Sequence, residues 1–274
     1  MTFRNTYSIP LNYPTSAYNK PRWGYGSAPH PQLTTIINRN RNNYEQLLNE
    51  FLKYKASFSN IKIEEDIARP VEPFLKTPWL PGLDSLSLYC LLAMYKPARY
   101  VEVGSGSSTK FARKSILDHH CNTKLTSIDP EPRTEIDAIC DNVIRQPVEC
   151  VDLSVFDALE ANDILFIDNS HRCFMNSDVT VVFLDIIPRL KSGVLVQIHD
   201  IFLPYDYPLQ WTERYYSEQY LLAAYLLAEG GKINILLPNA FVSTDSSLHE
   251  ICKPIFDNLE GVRSGGGSFW FSIV

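Results

Sequence analysis

Short apolar runs alternate with amphipathic stretches along the chain from residue 99 onward. The runs predict β-strands at 99–104, 124–129, 143–150, 163–168, 193–200, 233–237 and 268–274, of which 143–150 is the weakest. The stretches between them predict a helix that ends near residue 120 and further helices at 177–190 and 218–229. Strands that are apolar almost throughout and alternate with helices indicate an α/β fold, in which a parallel sheet is covered on both faces.

The first 95 residues follow a different pattern. Residues 1–35 lack a sustained period and are rich in Pro, Tyr, Asn and Ser, which predicts an extended arm. Apolar positions at helical spacing predict a helix at 39–60, and a second helix at 84–95 is expected to be capped by Asp84 and to end before Pro97. We therefore divide the chain into an N-terminal arm with helices (1–95) and an α/β domain (96–274).

Composition narrows the classes of partner. The chain of 274 residues carries a net charge of −6 without a dense Lys/Arg cluster, which argues against nucleic acid as a binding partner. It contains no apolar stretch long enough to span a bilayer, and its N-terminus lacks the apolar segment of a secretory signal, so we expect a cytoplasmic protein without a membrane partner. The 6 cysteines include no C-x-x-C pair and are interpreted as reduced thiols.

The most distinctive motif is VEVGSGSST at 101–109, between a predicted strand and a predicted helix. Glycines there allow a tight turn and a close approach to a ligand, and the helix start offers free N–H groups to a carboxylate or phosphate. Thr109 stands where a dinucleotide fingerprint has its third glycine, which weakens a nicotinamide interpretation. An acidic residue two positions before the first glycine instead suits a methyltransferase loop. The residues of this loop expected to bind a cofactor are Glu102, Gly104, Ser105, Gly106 and Ser107.

Polar residues also follow the later strands of the predicted sheet. Asp129 ends the second strand and can accept hydrogen bonds from the ribose hydroxyls of either cofactor. Asp168 and His171 follow the fourth strand, and His199 and Asp200 follow the fifth. Because the carboxyl ends of parallel strands meet at one edge, we expect a common site there. His171 or His199 can serve as a general base, and Asp168, His199 and Asp200 together can hold a divalent metal ion.

Three segments in matching order resemble a bacterial branch of the class I S-adenosylmethionine-dependent methyltransferases. They are EVGSGSST at 102–109, LFIDNSH at 165–171 and GVLVQIHDIFLPYDYP at 193–208, and the resemblance covers residues 76–274. It implies a Rossmann-like seven-stranded sheet, mostly parallel with an antiparallel last strand, and S-adenosylmethionine as cofactor. It also implies cofactor contacts from Asp152, after the third strand, and from Asp168.

The cluster of Asp168, His171, His199 and Asp200 is similar to the metal site of metal-dependent sugar and natural-product O-methyltransferases. The spacing of Asp168 and His171 matches the metal-binding Asp and the basic His of those enzymes. They carry a carboxylate where this chain has His199, so a softer ion or no ion is also consistent. Aromatic residues and prolines at 201–211 are typical of a wall over an acceptor pocket, and equally of a packed loop.

These patterns predict an enzyme that methylates a hydroxyl of a small acceptor, such as a sugar or a secondary metabolite, either with or without a bound metal ion. Two alternatives stay open at this point: an NAD(P)-dependent oxidoreductase on a similar sheet, and a non-catalytic binding protein that kept the fold. The sequence does not decide whether the helices at 39–95 cover the pocket or form a homodimer.

Overall fold

The computed structural model describes residues 20–228 and 232–274. The strands are β1 Arg99–Val103, β2 Lys124–Ile128, β3 Asn142–Ile144, β4 Ile164–Ile167, β5 Leu195–Ile198, β6 Ile233–Pro238 and β7 Phe269–Ile273. The longer helices are α1 Pro31–Asn38, α2 Arg41–Phe51, α4 Gly82–Tyr95, α5 Ser107–Asp118, α8 Glu218–Leu227 and α10 Ser246–Phe256. Shorter helices are α3 Lys55–Phe58, α6 Ser154–Asp157, α7 Asp178–Val181 and α9 Asn239–Thr244.

The seven strands form one sheet in the order β3-β2-β1-β4-β5-β7-β6. Strands β1 to β5 pair in parallel, whereas β7 is antiparallel to both β5 and β6. Every residue of β4 and β5 is buried, so the centre of the sheet is covered on both faces. The predicted fold class is confirmed, including the antiparallel last strand.

The N-terminal helices share the hydrophobic core of the sheet. Leu48 and Phe51 of α2 are fully buried in the same cluster as the strands, and Tyr44 donates a buried hydrogen bond to the carbonyl of Ile37. Helix α1 begins at Pro31, within the predicted arm, so the expectation of an extended arm up to residue 35 is wrong for its last residues. The part of the arm before Lys20 lies outside the described residues.

Several observed strands and helices differ in extent from those predicted from the sequence. The third strand is limited to β3, because the chain forms a 3₁₀ turn at Val148–Cys150. The predicted helix 177–190 is α7 followed by a π-helical segment at Val182–Ile186 and a 3₁₀ turn. Helices α9 and α10 were not predicted, and the end of the predicted helix 218–229 reaches residues outside those described.

Asp84 does not cap α4, contrary to the prediction. Pro81 occupies the N-cap position, and the carboxylate of Asp84 is buried inside the fold. It accepts hydrogen bonds from the backbone N–H groups of Gly267 and Ser268 and from the Asn239 side chain. Asp84 therefore joins α4 to the loop that precedes β7. No helix in the described parts of the chain is long and apolar enough to cross a membrane.

Candidate active site

The loop after β1 is shaped by contact with the end of β4. Gly104 has a φ of +79°, and a Cβ atom there would lie 1.8 Å from the carbonyl oxygen of Asp168. This glycine is therefore required by protein backbone, in addition to any ligand. A Cβ atom on Gly106 would meet nothing within 4 Å, so the loop is open at that position. The expected room for a ligand lies beside Gly106.

The side chain of Glu102 stabilises this loop from the interior of the protein. This side chain is fully buried and accepts hydrogen bonds from the hydroxyls of Tyr100 and Thr109. The Thr109 hydroxyl in turn accepts the N–H of Gly106 at 3.0 Å. Burial raises the pKa of Glu102 to about 8, because the charged form loses its hydration. Glu102 lines none of the three cavities described below, so its place is that of a loop support and its predicted contact with a cofactor stays a prediction.

Asp129 lies at the end of β2 and faces a cavity of about 230 Å³, here named the Asp129 cavity. Its carboxylate accepts the N–H groups of Ser105 and Glu131, both at 2.8 Å. Gly104, Val148, Glu149 and Asp168 also line this cavity. Asp152 does not line it; its carboxylate accepts the N–H of Ser154 at the start of α6.

Two further cavities adjoin the first. One of about 320 Å³, the Lys110 cavity, is lined by Ser105, Gly106, Ser107 and Ser108 of the loop, by Lys110 of α5, and by Thr77 and Trp79 of the N-terminal part. The other, of about 310 Å³, is the Trp211 cavity, and it contains the His/Asp cluster. Asp168 lines all three cavities, so they converge at the end of β4.

His171 is buried between carboxylates on two sides. Its Nδ1 lies 2.9 Å from Glu218 Oε2, and its Nε2 lies 3.2 Å from Asp168 Oδ1 and 3.4 Å from Asp200 Oδ2. Asn169 completes this arrangement, because its side chain accepts the N–H of His171 and donates to Glu218. Burial disfavours the imidazolium, but the hydrogen bonds with Asp168 and Glu218 outweigh it and raise the pKa of His171 to about 10.

His199 is equally buried but forms no hydrogen bond through either ring nitrogen to the part of the chain that the structure describes. Its Nδ1 faces Asp168 Oδ1 at 3.6 Å and Asp200 Oδ1 at 3.4 Å, and its Nε2 faces Asp84 Oδ2 at 3.4 Å. Burial opposes its charge, yet Asp200 and Asp168 raise the pKa of His199 well above its usual value. Burial also raises the pKa of Asp200.

The donor atoms of Asp168, His199 and Asp200 fit a metal ion. One ligand atom from each lies within 4.8 Å of the others, and the Nδ1 of His199 is a buried nitrogen without a hydrogen-bond partner in residues 20–228 and 232–274. Two carboxylates and an imidazole suit a divalent cation. His171 and Asp200 also adopt left-handed backbone conformations, with φ of +59° and +56°, and such strain in residues other than glycine is concentrated at functional sites.

The predicted site residues are thus brought together except for Glu102, beneath the loop, and Asp152, at the start of α6. Three further residues were not singled out for this site: Asp84, Glu218 and Lys110. Asp84 was interpreted as a cap, and Glu218 only as the first residue of a predicted helix. A place for Lys110 near the loop could have been predicted from the sequence, because it lies four residues after Gly106 on the helix that begins at the loop.

Comparisons with known proteins agree with this architecture. Residues 101–201 match a family model described as a methyltransferase domain. A search of curated proteins gave no match. Similar solved structures include the SAH-bound Podospora anserina methyltransferase PaMTH1, with 14% identity, 88% of this chain and 96% of that chain covered, and a TM-score of 0.44.

Two other solved structures are the plantazolicin methyltransferase BpumL with SAH and a cmcI structure described as Mg-SAM. The first has 12% identity, covers 88% of this chain and 98% of its own, and has a TM-score of 0.40. The second has 16% identity, covers 77% and 85%, and has a TM-score of 0.40. Likeness at this level carries no information about the acceptor.

The sheet itself separates the two enzyme classes left open by the sequence. A dinucleotide-binding sheet has the strand order 3-2-1-4-5-6. Here an antiparallel strand, β7, is inserted between β5 and β6. The family match covers β1 to β5 and the residues that follow β1, β2, β4 and β5. Residues 101–201 therefore carry a methyltransferase domain, and the sheet is of the class I, S-adenosylmethionine-dependent type.

Proposed function

We propose that this enzyme transfers a methyl group to a hydroxyl of a small acceptor, with a divalent ion held by Asp168, His199 and Asp200. The observation that carries the proposal is the convergence of three cavities at Asp168. Two of them border the glycine loop and the third contains the His/Asp cluster, so a cofactor and an acceptor can meet beside Asp168. Such proximity is the main requirement for a direct displacement.

The cofactor would occupy the two cavities beside the loop. Asp129 suits the ribose hydroxyls, because its carboxylate is already fixed by the N–H groups of Ser105 and Glu131. The methionyl carboxylate would lie in the Lys110 cavity, where the start of α5 and the buried Lys110 both favour an anion. S-adenosylmethionine bound in this way supplies a methyl group on a sulfonium.

His199 has the surroundings of a metal ligand whose second nitrogen is oriented by a carboxylate. Its Nδ1 faces Asp168 and Asp200, and its Nε2 faces the buried Asp84 at 3.4 Å. Metal-binding histidines commonly donate their other N–H to such a carboxylate. A divalent ion there would lower the pKa of an acceptor hydroxyl. Asp84 would act as a positioning residue for His199.

His171 can act as a base only in one charge state of the cluster. With its pKa raised to about 10 by Asp168 and Glu218, it is an imidazolium at neutral pH and cannot accept a proton. A divalent metal ion bound to Asp168 and Asp200 would weaken the attraction of these two carboxylates for the proton on His171. The base role of His171 is therefore tied to the metal hypothesis, and Glu218 keeps the ring in place in either state.

The N-terminal part is proposed to cover the site. Thr77 and Trp79 line the Lys110 cavity, and Trp79 also lines the Trp211 cavity. This position favours a cover over a role in dimer formation alone. The division of the chain at residue 95, a homodimer and a cytoplasmic location stay predictions.

Calorimetry with S-adenosylhomocysteine tests the cofactor part. We expect binding to the wild type and at least about tenfold weaker binding to Asp129→Asn, since a charge-assisted hydrogen bond to a ribose hydroxyl is worth ~1.5 kcal/mol or more. The exposed Asp257→Asn is the control and should bind as the wild type does. Binding of NAD⁺ in place of S-adenosylhomocysteine would contradict the assignment.

Manganese binding, followed by electron paramagnetic resonance, tests the metal part without measuring activity. We expect wild type to bind Mn²⁺, and His199→Ala and Asp200→Asn to lose most of that binding. Asp178→Asn, a carboxylate that accepts the N–H of Ser170 outside the cluster, is the control. Equal Mn²⁺ binding by wild type and both cluster variants would remove the metal from the proposal and leave the methyltransferase part intact.

A further inference from the structure

The Trp211 cavity is lined by groups of both charges, of which the arginines are the more exposed. Asp84, Asp168 and Asp200 line it together with the two histidines. Three arginines, Arg133, Arg214 and Arg263, also line this cavity, and all three are exposed. Asp168 lies where the cofactor cavities meet. Of the three cavities, Arg214 and Arg263 line only the Trp211 cavity, whereas Arg133 lines the Lys110 cavity as well. An acceptor in this cavity would therefore meet a positive field beside the arginines.

These three arginines have no carboxylate partner in the described part of the chain. Elsewhere Arg113, Arg145 and Arg189 each form an ion pair with an aspartate, whereas Arg22, Arg39 and Arg172 form none with the described residues. What distinguishes Arg133, Arg214 and Arg263 is their position around one cavity. The convergence of three unpaired arginines on one cavity is notable in a chain whose net charge is −6. Cations that line one cavity repel one another, so an anionic ligand that neutralises them would suit this cavity.

Aromatic rings fix two of these guanidinium groups without using their N–H donors. Arg214 lies 3.9 Å above the Trp211 ring, and Arg133 lies 4.5 Å above the Trp79 ring. By contrast, the guanidinium of Arg172 already donates N–H groups to the carbonyls of Arg214 and Ser170, so these donors are not free to bind a ligand. A cation–π contact helps to hold a guanidinium in place and leaves its N–H groups free to bind an oxyanion.

The Trp211 cavity also has aromatic walls. Phe202, Trp211 and Tyr216 line the cavity, and the Trp211 ring lies 5.1 Å from that of Phe202 and 5.8 Å from that of Tyr216, measured between centroids. A cavity of about 310 Å³ is at the small end of the range for small-molecule sites. Such walls suit a flat, largely apolar body.

From these observations we propose that the acceptor is a flat hydroxylated molecule that carries an oxyanion, a carboxylate or a phosphate, at the end opposite its reacting hydroxyl. The hydroxyl would lie at Asp168 and the oxyanion at Arg214 and Arg263, whereas Arg133 lines both this cavity and the Lys110 cavity. This inference rests on the proposed function, because it takes the Trp211 cavity as the acceptor site.

Matched probes with and without the oxyanion provide the test. Protocatechuate is compared with its primary amide, and hydroquinone monophosphate with hydroquinone, by calorimetry on protein saturated with S-adenosylhomocysteine. A chelator is present throughout, so that no probe binds through a metal ion. We expect at least about tenfold tighter binding of one or both anions than of the neutral partner, weakening with added salt. Which pair shows the preference identifies carboxylate or phosphate.

The variant Arg214→Met should lose most of the preference, while the methionine keeps apolar contact with Trp211. Arg214 lines neither of the two cofactor cavities, so cofactor binding should be unchanged. Arg39→Met is the control, since Arg39 is exposed but lines none of the three cavities, and it should keep the preference. Equal binding of anion and neutral partner, no measurable binding of either anion, or an unchanged preference in Arg214→Met would each overturn the proposal. Failure to bind S-adenosylhomocysteine would instead contradict the proposed function, so the two failures are distinguishable.

Discussion

Glu102 is a buried carboxyl whose charge state couples folding to pH. Its pKa is raised to about 8 in the folded chain and lies near 4.5 when the chain is unfolded. The folded state therefore holds a proton that the unfolded state releases, and this contribution to stability is complete below pH 4.5 and is lost as pH rises to about 8. The loss amounts to at most ~1.4 kcal/mol per pH unit within that window.

Glu102→Gln removes this titration while it keeps a similar shape. We expect the free energy of unfolding of the variant, relative to wild type, to rise steadily from pH 5 to about 8 and then level off. Urea unfolding at several pH values measures it, with the exposed Glu260→Gln as the control. A difference between Glu102→Gln and wild type that does not change with pH would show that Glu102 is ionised in the folded state across this range.

Gly104 and Gly106 belong to one loop but differ in what a methyl group would meet. Alanine at 104 would place its Cβ against the Asp168 carbonyl at 1.8 Å with a φ of +79°, so we expect Gly104→Ala to lose at least about 3 kcal/mol of stability. Alanine at 106 has open space, so Gly106→Ala should destabilise far less and mainly weaken S-adenosylhomocysteine binding. Thermal unfolding and calorimetry on both variants separate these effects. Equal loss of stability in the two variants would refute the distinction.

Residues that belong to one motif were recognisable from the sequence, whereas their buried partners were not. Gly104, Asp129 and Asp168 follow strands, and the rule that strand ends meet at one edge of a parallel sheet predicts their proximity. Asp84 bonds to the N–H group of Ser268, 184 residues away, and Glu218 bonds to His171 across 47 residues. No local pattern contains such a contact, because it depends on how separate elements pack.

Among the elements, the central strands were the most predictable. β1, β4 and β5 are short apolar runs, and burial on both faces requires that composition. β3 is an edge strand with exposed residues, so its apolar signal is weak and its extent was overestimated. α10 was missed although Leu248, Ile251, Cys252 and Ile255 follow helical spacing, because Pro254 interrupts the pattern.

The segment before α1 is joined to the wall of the Trp211 cavity by one carboxylate. Asp206 accepts the N–H groups of Arg22 and Trp23, and it accepts the hydroxyl of Tyr220 on α8. The N–H of His30 also donates to the carbonyl of Pro204. This segment therefore supports the loop between β5 and α8 from outside.

Asp206→Ala removes three hydrogen bonds at once. We expect faster hydrogen exchange in residues 20–30 and 201–208, and unchanged affinity for S-adenosylhomocysteine, because other elements line the cofactor cavities. Hydrogen exchange followed by mass spectrometry measures it, with Asp257→Ala as the control. Exchange in these two segments that matches wild type would show that Asp206 does not hold them together.

At the scale of the whole molecule, one core joins the N-terminal helices to the sheet. Leu48 and Phe51 of α2 lie in the same buried cluster as Trp270 of β7. Arg41 of α2 pairs through both terminal nitrogens with Asp245, which precedes α10, and Asn40 donates to the carbonyl of Ile235 in β6. Contacts of this kind make separate unfolding of residues 20–95 unfavourable.

We therefore expect one cooperative unfolding transition, with equal calorimetric and van't Hoff enthalpies. Leu48→Ala removes buried apolar surface from α2 and should lower that transition as a whole, by about 2–5 kcal/mol, rather than split it. S-adenosylhomocysteine should raise the same transition, because ligand binding to the folded state stabilises everything that unfolds with it. Two transitions, of which only one responds to the ligand and the other to Leu48→Ala, would instead show that the N-terminal helices and the sheet are separate folding units. In that case the N-terminal part that covers the site could expose it by unfolding while the sheet stays folded. A single transition instead means that the site must be exposed by a movement within the folded chain.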